Sequence, residues 1–188
     1  MRYDRDDDMM ITGKRHDFRI SYQAGFDAEG RIAGVAFVQY ARCGWAQDLS
    51  LPVADRAMLH ADNAYHLPHC RIESHRLKTN TQSATAFRGF GGPQGMLGIE
   101  RVLDHIAHYL KQDALDIRRR NFYAAMAVAQ HSSARSENTQ TTPYGMPVTD
   151  FILHQLTDQL AKTSQYSDRN AAIKTWNTQN PNLKRGIA

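Results

Sequence analysis

The chain has 188 residues, 41% of them hydrophobic and 22% charged, with a formal net charge of +4. These are ordinary globular values, enough for one domain with a real core or for a piece of a larger one. The basic residues are scattered and carry no RNP, zinc-finger or basic-helix motif, so nucleic acid is not an expected partner. No signal peptide leads the chain, and no run approaches the ~20 apolar residues of a membrane span. Cys43 and Cys70 lack CxxC spacing and read as free thiols in a reducing compartment. The chain reads as soluble and cytoplasmic.

Phe18, Ile20, Tyr22, Ala24 and Phe26 alternate with the period of a half-buried strand. Asp27-Ala28-Glu29-Gly30 is a turn, and residues 31–42 are apolar on both faces, which predicts a hairpin with a central second strand. Ala54, Ala57, Met58 and Ala61 recur at helical spacing behind Ser50 as N-cap and Pro52 in the first turn. A weaker strand fits residues 70–78. Pro93 then opens a helix carrying Met96, Ile99, Leu103, Ile106 and Leu110 on one face. Asp113 caps another, reaching about Tyr123, where Arg118-Arg119-Arg120 would complement the helix dipole. Residues 130–143 read as a polar loop. Thr149 is placed to cap a helix bearing Ile152, Leu153, Leu156 and Leu160, and a last helix fits Ser167 to Asn180, stopped by Pro181. The expected class is α+β: a mixed sheet with a strand-strand-helix-strand core, followed by several helices.

The most informative stretch is Ala86-Phe87-Arg88-Gly89-Phe90-Gly91-Gly92, running into Pro93-Gln94-Gly95-Met96. Glycines at a loop-to-helix junction allow φ > 0 and close approach to a ligand, and the helix start offers free N–H groups to an anion or oxo group. No Lys or hydroxyl follows Gly91-Gly92, as a phosphate loop requires, and no glycine closes a dinucleotide fingerprint begun at Gly89-Phe90-Gly91. A purely structural turn would also account for the glycines.

Lys78-Thr79-Asn80-Thr81-Gln82-Ser83 and Thr85 through Gly95 resemble the molybdopterin-binding subunit of the molybdenum hydroxylase (xanthine dehydrogenase/aldehyde oxidase) family. So do Asp4 through Met9, Thr12-Gly13-Lys14-Arg15-His16, Asp48-Leu49-Ser50, Arg56-Ala57, Asp62 through Tyr65, and Arg119 through Tyr123. These matches lie in family order and spacing over residues 3–123. The resemblance implies a Mo-molybdopterin cofactor that serves hydroxylation of an electron-poor carbon, as in oxidation of xanthine or hypoxanthine to urate. Electrons would leave through 2Fe-2S clusters and FAD on other domains or a partner subunit, within an oligomer. It also implies that residues 1–188 are a fragment of the molybdopterin-binding domain. Its family-matching core would be 1–123, a variable loop 124–148 and a helical segment 149–188. The family's catalytic glutamate and second substrate glutamate fall outside these residues, so the isolated chain is expected to be inactive.

By the same resemblance, Arg56 is the catalytic and substrate-binding arginine that meets a purine oxygen across from the reacting carbon. Negative charge built on the ring there would favour a fixed guanidinium. Related aldehyde oxidases generally lack this arginine, which tilts the substrate toward purines; read by itself, Arg56 would be a solvated surface residue. Phe90 would be one aromatic wall of the substrate site, or a plug in the core. Arg88 corresponds to the residue whose backbone lies beside the cofactor's metal, with Phe87 and Ala86 lining the same cavity. No protein-ligated metal site is expected: His60, His66, His69 and His75 match no HExxH or Cys-His pattern, and Asp6-Asp7-Asp8 lacks EF-hand spacing. Ala124 replaces the glycine usual after Asn121-Phe122-Tyr123, and the alanine-rich stretch that follows would extend the preceding helix. The competing readings are a non-catalytic ligand-binding or assembly module and an aldehyde-oxidising relative.

Overall fold

The computed structural model of the chain describes residues 2–124 and 140–187. The alternation at the start of the core becomes β1 (Phe18–Phe26), whose residues are half-buried and exposed in strict turn. The turn behind it closes because Asp27 Oδ1 accepts from the backbone N–H of Glu29 (3.0 Å) and Arg31 (2.8 Å). The chain returns antiparallel as β2 (Ile32–Gly44), which also pairs in parallel with β3 (Cys70–Lys78). β2 is therefore the middle strand of the mixed three-stranded sheet. A parallel partner needs a crossover, and α2 (Ser50–Leu59) lies within it.

The helices that follow are α3 (Gly92–Leu110) and α4 (Ala114–Asn121). Phe37, Ile99, Val102, Leu103, Ile106 and Ile117 form the centre of the core, each at most 2% exposed. The apolar stripe of α3 thus faces the sheet, as its period requires. Asn121 ties the end of α4 to the hairpin: its Oδ1 accepts from Ile32 N–H and its Nδ2 donates to the carbonyl oxygens of Gly30 and Ile117, all within 2.9 Å. At the start of the chain, α1 (Arg5–Ile11) places Asp6, Asp7 and Asp8 in its first turn, where they complement the helix dipole, and Asp4 caps it.

Two glycines bring α3 against α2. A methyl group on Gly91 would lie 2.0 Å from the Val53 carbonyl oxygen, and one on Gly95 would lie 2.1 Å from that of Ala57. The two helix backbones approach so closely that only glycine fits. On the neighbouring face of α3, Gly98 sits over Ile20 and Phe37.

Several expected helix ends differ. Ser50 is not the cap of α2: it lies inside the helix, fully buried, and its Oγ is 2.7 Å from His16 Nε2. α4 stops at Asn121 with Phe122 extended, so it reaches neither Tyr123 nor Ala124. Arg118 does not serve the dipole. It is half-buried, with Nε donating to Glu100 Oε2 and Nη2 to Asp104 Oδ1, both 2.8 Å, across to α3. Most of the expected polar loop at 130–143, and the alanine-rich extension beyond Ala124, lie outside the described residues.

Residues 2–123 with 140–148 form one compact unit, and residues 149–187 belong to a second. The second contains α5 (Leu153–Thr163) and α6 (Tyr166–Gln179). Ile152 takes the cap position of α5 without a side-chain bond, so the expected cap at Thr149 does not form. The stripe Ile152, Leu156 and Leu160 is exposed. The tail after α6 folds back on it, with Arg185 stacked over Trp176 and its N–H bonded to Asn177 Oδ1.

Candidate functional site

The glycine-rich stretch forms consecutive tight turns that run into α3: Phe90 N–H donates to the Phe87 carbonyl (2.8 Å), and Gly92 N–H to that of Gly89 (3.0 Å). Gly89 and Gly91 both take φ +91, and Phe90 between them is also left-handed, at φ 48. A phenylalanine in that region is strained and is held by its surroundings. The turns leave Ala86, Phe87, Arg88 and Gly89 exposed and Phe90 half-buried. The helix start differs from expectation, since Gly92 N–H is used within the turn and Pro93 has none. What the loop offers a ligand is exposed backbone, an aromatic side chain and cations rather than a ring of free helix N–H groups.

Arg15 reaches this loop from the segment between α1 and β1. Its Nη2 donates to the Arg88 carbonyl oxygen (2.5 Å), and its guanidinium lies 4.3 Å from the centre of the Phe87 ring. Arg88 is exposed and makes no salt bridge among the described residues.

Arg56 is exposed on α2, away from the buried Val53, Ala54 and Ala57. Its Nε donates to His60 Nε2 (3.2 Å), one helical turn on. His60 in turn borders the start of α3, where a methyl on Gly92 would sit 3.4 Å from its Cδ2. The close α2–α3 approach therefore brings Arg56 to the end of the helix pair where loop 86–92 emerges, with His60 as the link. Beneath the loop, Gln94 is buried and its Nε2 donates to the His16 carbonyl (3.2 Å). Arg15, His60 and Gln94 are not identified by sequence reasoning as members of this site. Arg15 lies within a family-like motif, Thr12 to His16, which is the one signal that marks it.

Other hollows lie elsewhere. One, about 750 Å³, is lined by Gln23, Gly34, Val35, His69, Cys70 and Arg71 among others, and includes neither Arg56 nor the loop. A smaller one of about 210 Å³ is bordered by Asp62 and Cys70. Burial raises the pKa of the Asp62 carboxyl, and burial with Asp62 nearby pushes the Cys70 thiol up to about 11. Cys70 is thus a thiol at neutral pH and a poor nucleophile.

Residues 1–122 match the model of the molybdopterin cofactor-binding domain. The chain belongs to this molybdopterin cofactor-binding family. It is 39% identical over 185 residues to xanthine dehydrogenase of Drosophila subobscura, covering 98% of this chain and 13% of that protein. Xanthine dehydrogenase 1 of Arabidopsis thaliana is 40% identical over the same length and shares. The chain therefore spans about an eighth of the length of the curated relatives it matches. Among solved structures, the aldehyde oxidoreductase from Desulfovibrio gigas superposes with a TM-score of 0.71 at 23% identity, over 96% of this chain and 18% of that one. The CO dehydrogenase from Oligotropha carboxidovorans gives 0.77 at 18%, over 94% and 21%. These likenesses establish the fold of a molybdenum hydroxylase segment.

The residues present fit the molybdopterin cofactor. The group is flat in part and anionic, and the loop presents exposed backbone at Arg88–Gly89, the Phe87 ring, and the Arg15 and Arg88 guanidinium groups. One donor nitrogen of Arg15, Nη1, is buried beside this loop without a hydrogen-bond partner. Among the described residues, no helix is long and apolar enough to cross a membrane.

Proposed function

We propose that this molybdopterin-binding segment belongs to a cytoplasmic xanthine dehydrogenase-type enzyme that oxidises xanthine and hypoxanthine to urate. In that enzyme, the 2Fe-2S clusters and FAD would be carried on other domains or a partner subunit, within an oligomer. The observation that carries the reading is the placement of Arg56. A guanidinium fixed by His60 stands at the end of the α2–α3 pair from which the exposed Arg88 backbone emerges. When bound, the cofactor would supply the oxygen-transfer and redox chemistry.

This chain's residues then act on the substrate. Arg56 binds a purine oxygen and offsets the negative charge that develops on the ring, a role that grows in the transition state. The bond from Arg56 to His60 restrains the guanidinium, so less ordering is needed when charge develops. Phe90 forms a wall for the flat ring. Arg88 presents its backbone to the cofactor, and Phe87 and Ala86 line the same cavity. The glutamate base is contributed from outside these residues, so the chain by itself is inactive.

Arg56→Met in the full-length protein tests the reading. Losing one preorganised charged donor costs about 10²–10³ in rate, so kcat with xanthine should fall by that factor, with KM changing far less. An aldehyde, which offers no oxygen across a purine ring, should keep nearly all of its rate. Equal, small losses with both substrates would remove Arg56 from the active site and favour the aldehyde-oxidising or non-catalytic alternatives.

A further inference from the structure

The loop's turns satisfy Phe87 and Gly89 through the N–H groups of Phe90 and Gly92, but they supply no donor for the carbonyl of Arg88. That donor comes from far away in sequence. Arg15 Nη2 bonds the Arg88 oxygen at 2.5 Å, while the central carbon of the same guanidinium lies over the Phe87 ring, 4.3 Å from its centre. Only a planar fork can donate in its own plane and stack on a ring at once. The base from which Arg15 springs is itself fixed. The Lys14 carbonyl accepts from Thr85 N–H (2.9 Å), the His16 carbonyl accepts from Gln94 Nε2 (3.2 Å), and His16 Nε2 bonds Ser50 Oγ (2.7 Å). Gly13, two residues earlier, lies against Thr85 so closely that a methyl there would meet its Cγ2 at 2.7 Å. Arg15 makes no salt bridge among the described residues, and its Nη1 is buried and unpaired, about 4.0 Å from where a methyl on Gly89 would lie. Its charge, paired with no carboxylate among the described residues, lies beside the exposed Arg88–Gly89 peptide.

We propose that Arg15 is the positioning residue of the 86–89 loop: it locks the Arg88–Gly89 peptide in one orientation and adds a positive charge beneath it. Resting on the function proposed above, this makes Arg15 the group that aims the cofactor-facing backbone without touching the substrate. A lysine cannot replace it, because an ammonium has neither the fork nor the flat face.

The test uses the full-length protein with Arg15→Met and Arg15→Lys. Trypsin cleavage after Arg88, followed by mass spectrometry on molybdenum-free protein, reads the loop directly. Both variants should be cut about tenfold faster there than the parent, the population change expected from losing a hydrogen bond to a charged donor. Cleavage at sites other than Arg88 and residue 15 should be unchanged. In the loaded protein, kcat per bound molybdenum should fall about tenfold with KM nearly constant, and the Mo(V) electron paramagnetic resonance signal should change shape. A merely structural arginine would lower the melting temperature or molybdenum content while leaving kcat per molybdenum and the signal as in the parent. That result, or parent-like cleavage after Arg88, overturns the proposal. A parent that holds no molybdenum or ignores xanthine overturns the proposed function instead, and the trypsin rates still decide the role of Arg15.

Discussion

His16 is 2% exposed where the segment leading into β1 meets α2, with its Nε2 bonded to the buried Ser50 hydroxyl. Burial lowers its pKa from the ordinary 6.5, against the opposing pull of Asp48 and Asp17. The folded state therefore binds fewer protons than the unfolded chain just below that value. The stability this contributes is full above pH 6.5 and is lost as pH falls from there toward the depressed folded pKa. Urea unfolding between pH 7.5 and 5.5 should show the wild-type chain losing more stability on acidification than His16→Gln, which keeps a group able to bond Ser50. Equal losses in the two proteins would contradict the linkage. Residues of this kind were poorly legible in the sequence. Ser50 looked like a helix cap because the hydroxyl that caps a helix and the one that meets a buried histidine are the same chemical group. Arg15 meets Arg88 across 73 positions, so no local spacing encodes the contact. Arg56 stood out only through family resemblance, which also gave Phe90, already marked by its glycine-rich loop, a role. The exposure of Arg56 follows from helical rotation, but its bond to His60 did not emerge until the helix was built.

The elements were legible where one period dominated. β1 alternates because one face meets the core, and the stripe Ile99, Leu103 and Ile106 is buried on α3 as its spacing demands. Ends were harder, since Thr149 and Ser50 offer cap chemistry that tertiary contacts or the chain's own path leave unused. Arg118 shows the same limit. Its acceptors Glu100 and Asp104 lie on another helix, and pairing with them outweighs the weak attraction of its own helix end. The α2–α3 contact bears on the proposed site, because Gly91 and Gly95 let α3 approach the helix that carries Arg56. Gly95→Ala would drive a methyl to 2.1 Å from a backbone oxygen that no side-chain rotation can clear. It should destabilise the chain by about 1–3 kcal/mol, the usual cost of overpacking. Gly25→Ala, which meets nothing within 4 Å, is the control. Similar melting temperatures for the two variants would show that the helices can separate freely and that the glycines do not set the spacing.

At the scale of the whole molecule, 98% of the chain aligns with xanthine dehydrogenases while spanning 13% of their length. On the proposed reading, a segment of that size contributes one cofactor-facing loop and one substrate arginine to the larger protein. The class was readable from the sequence because several short motifs recur in order over its first 123 residues, each too weak alone. The variable stretch expected after Ala124 falls on residues 125–139, which lie outside the described structure. These residues are proposed above all to serve purine oxidation at a molybdopterin centre. Urate formed from xanthine per bound molybdenum, measured on the purified full-length protein, tests it most directly. Stoichiometric molybdenum with steady urate formation is the expected result; a fully loaded protein that oxidises aldehydes but makes no urate would contradict it.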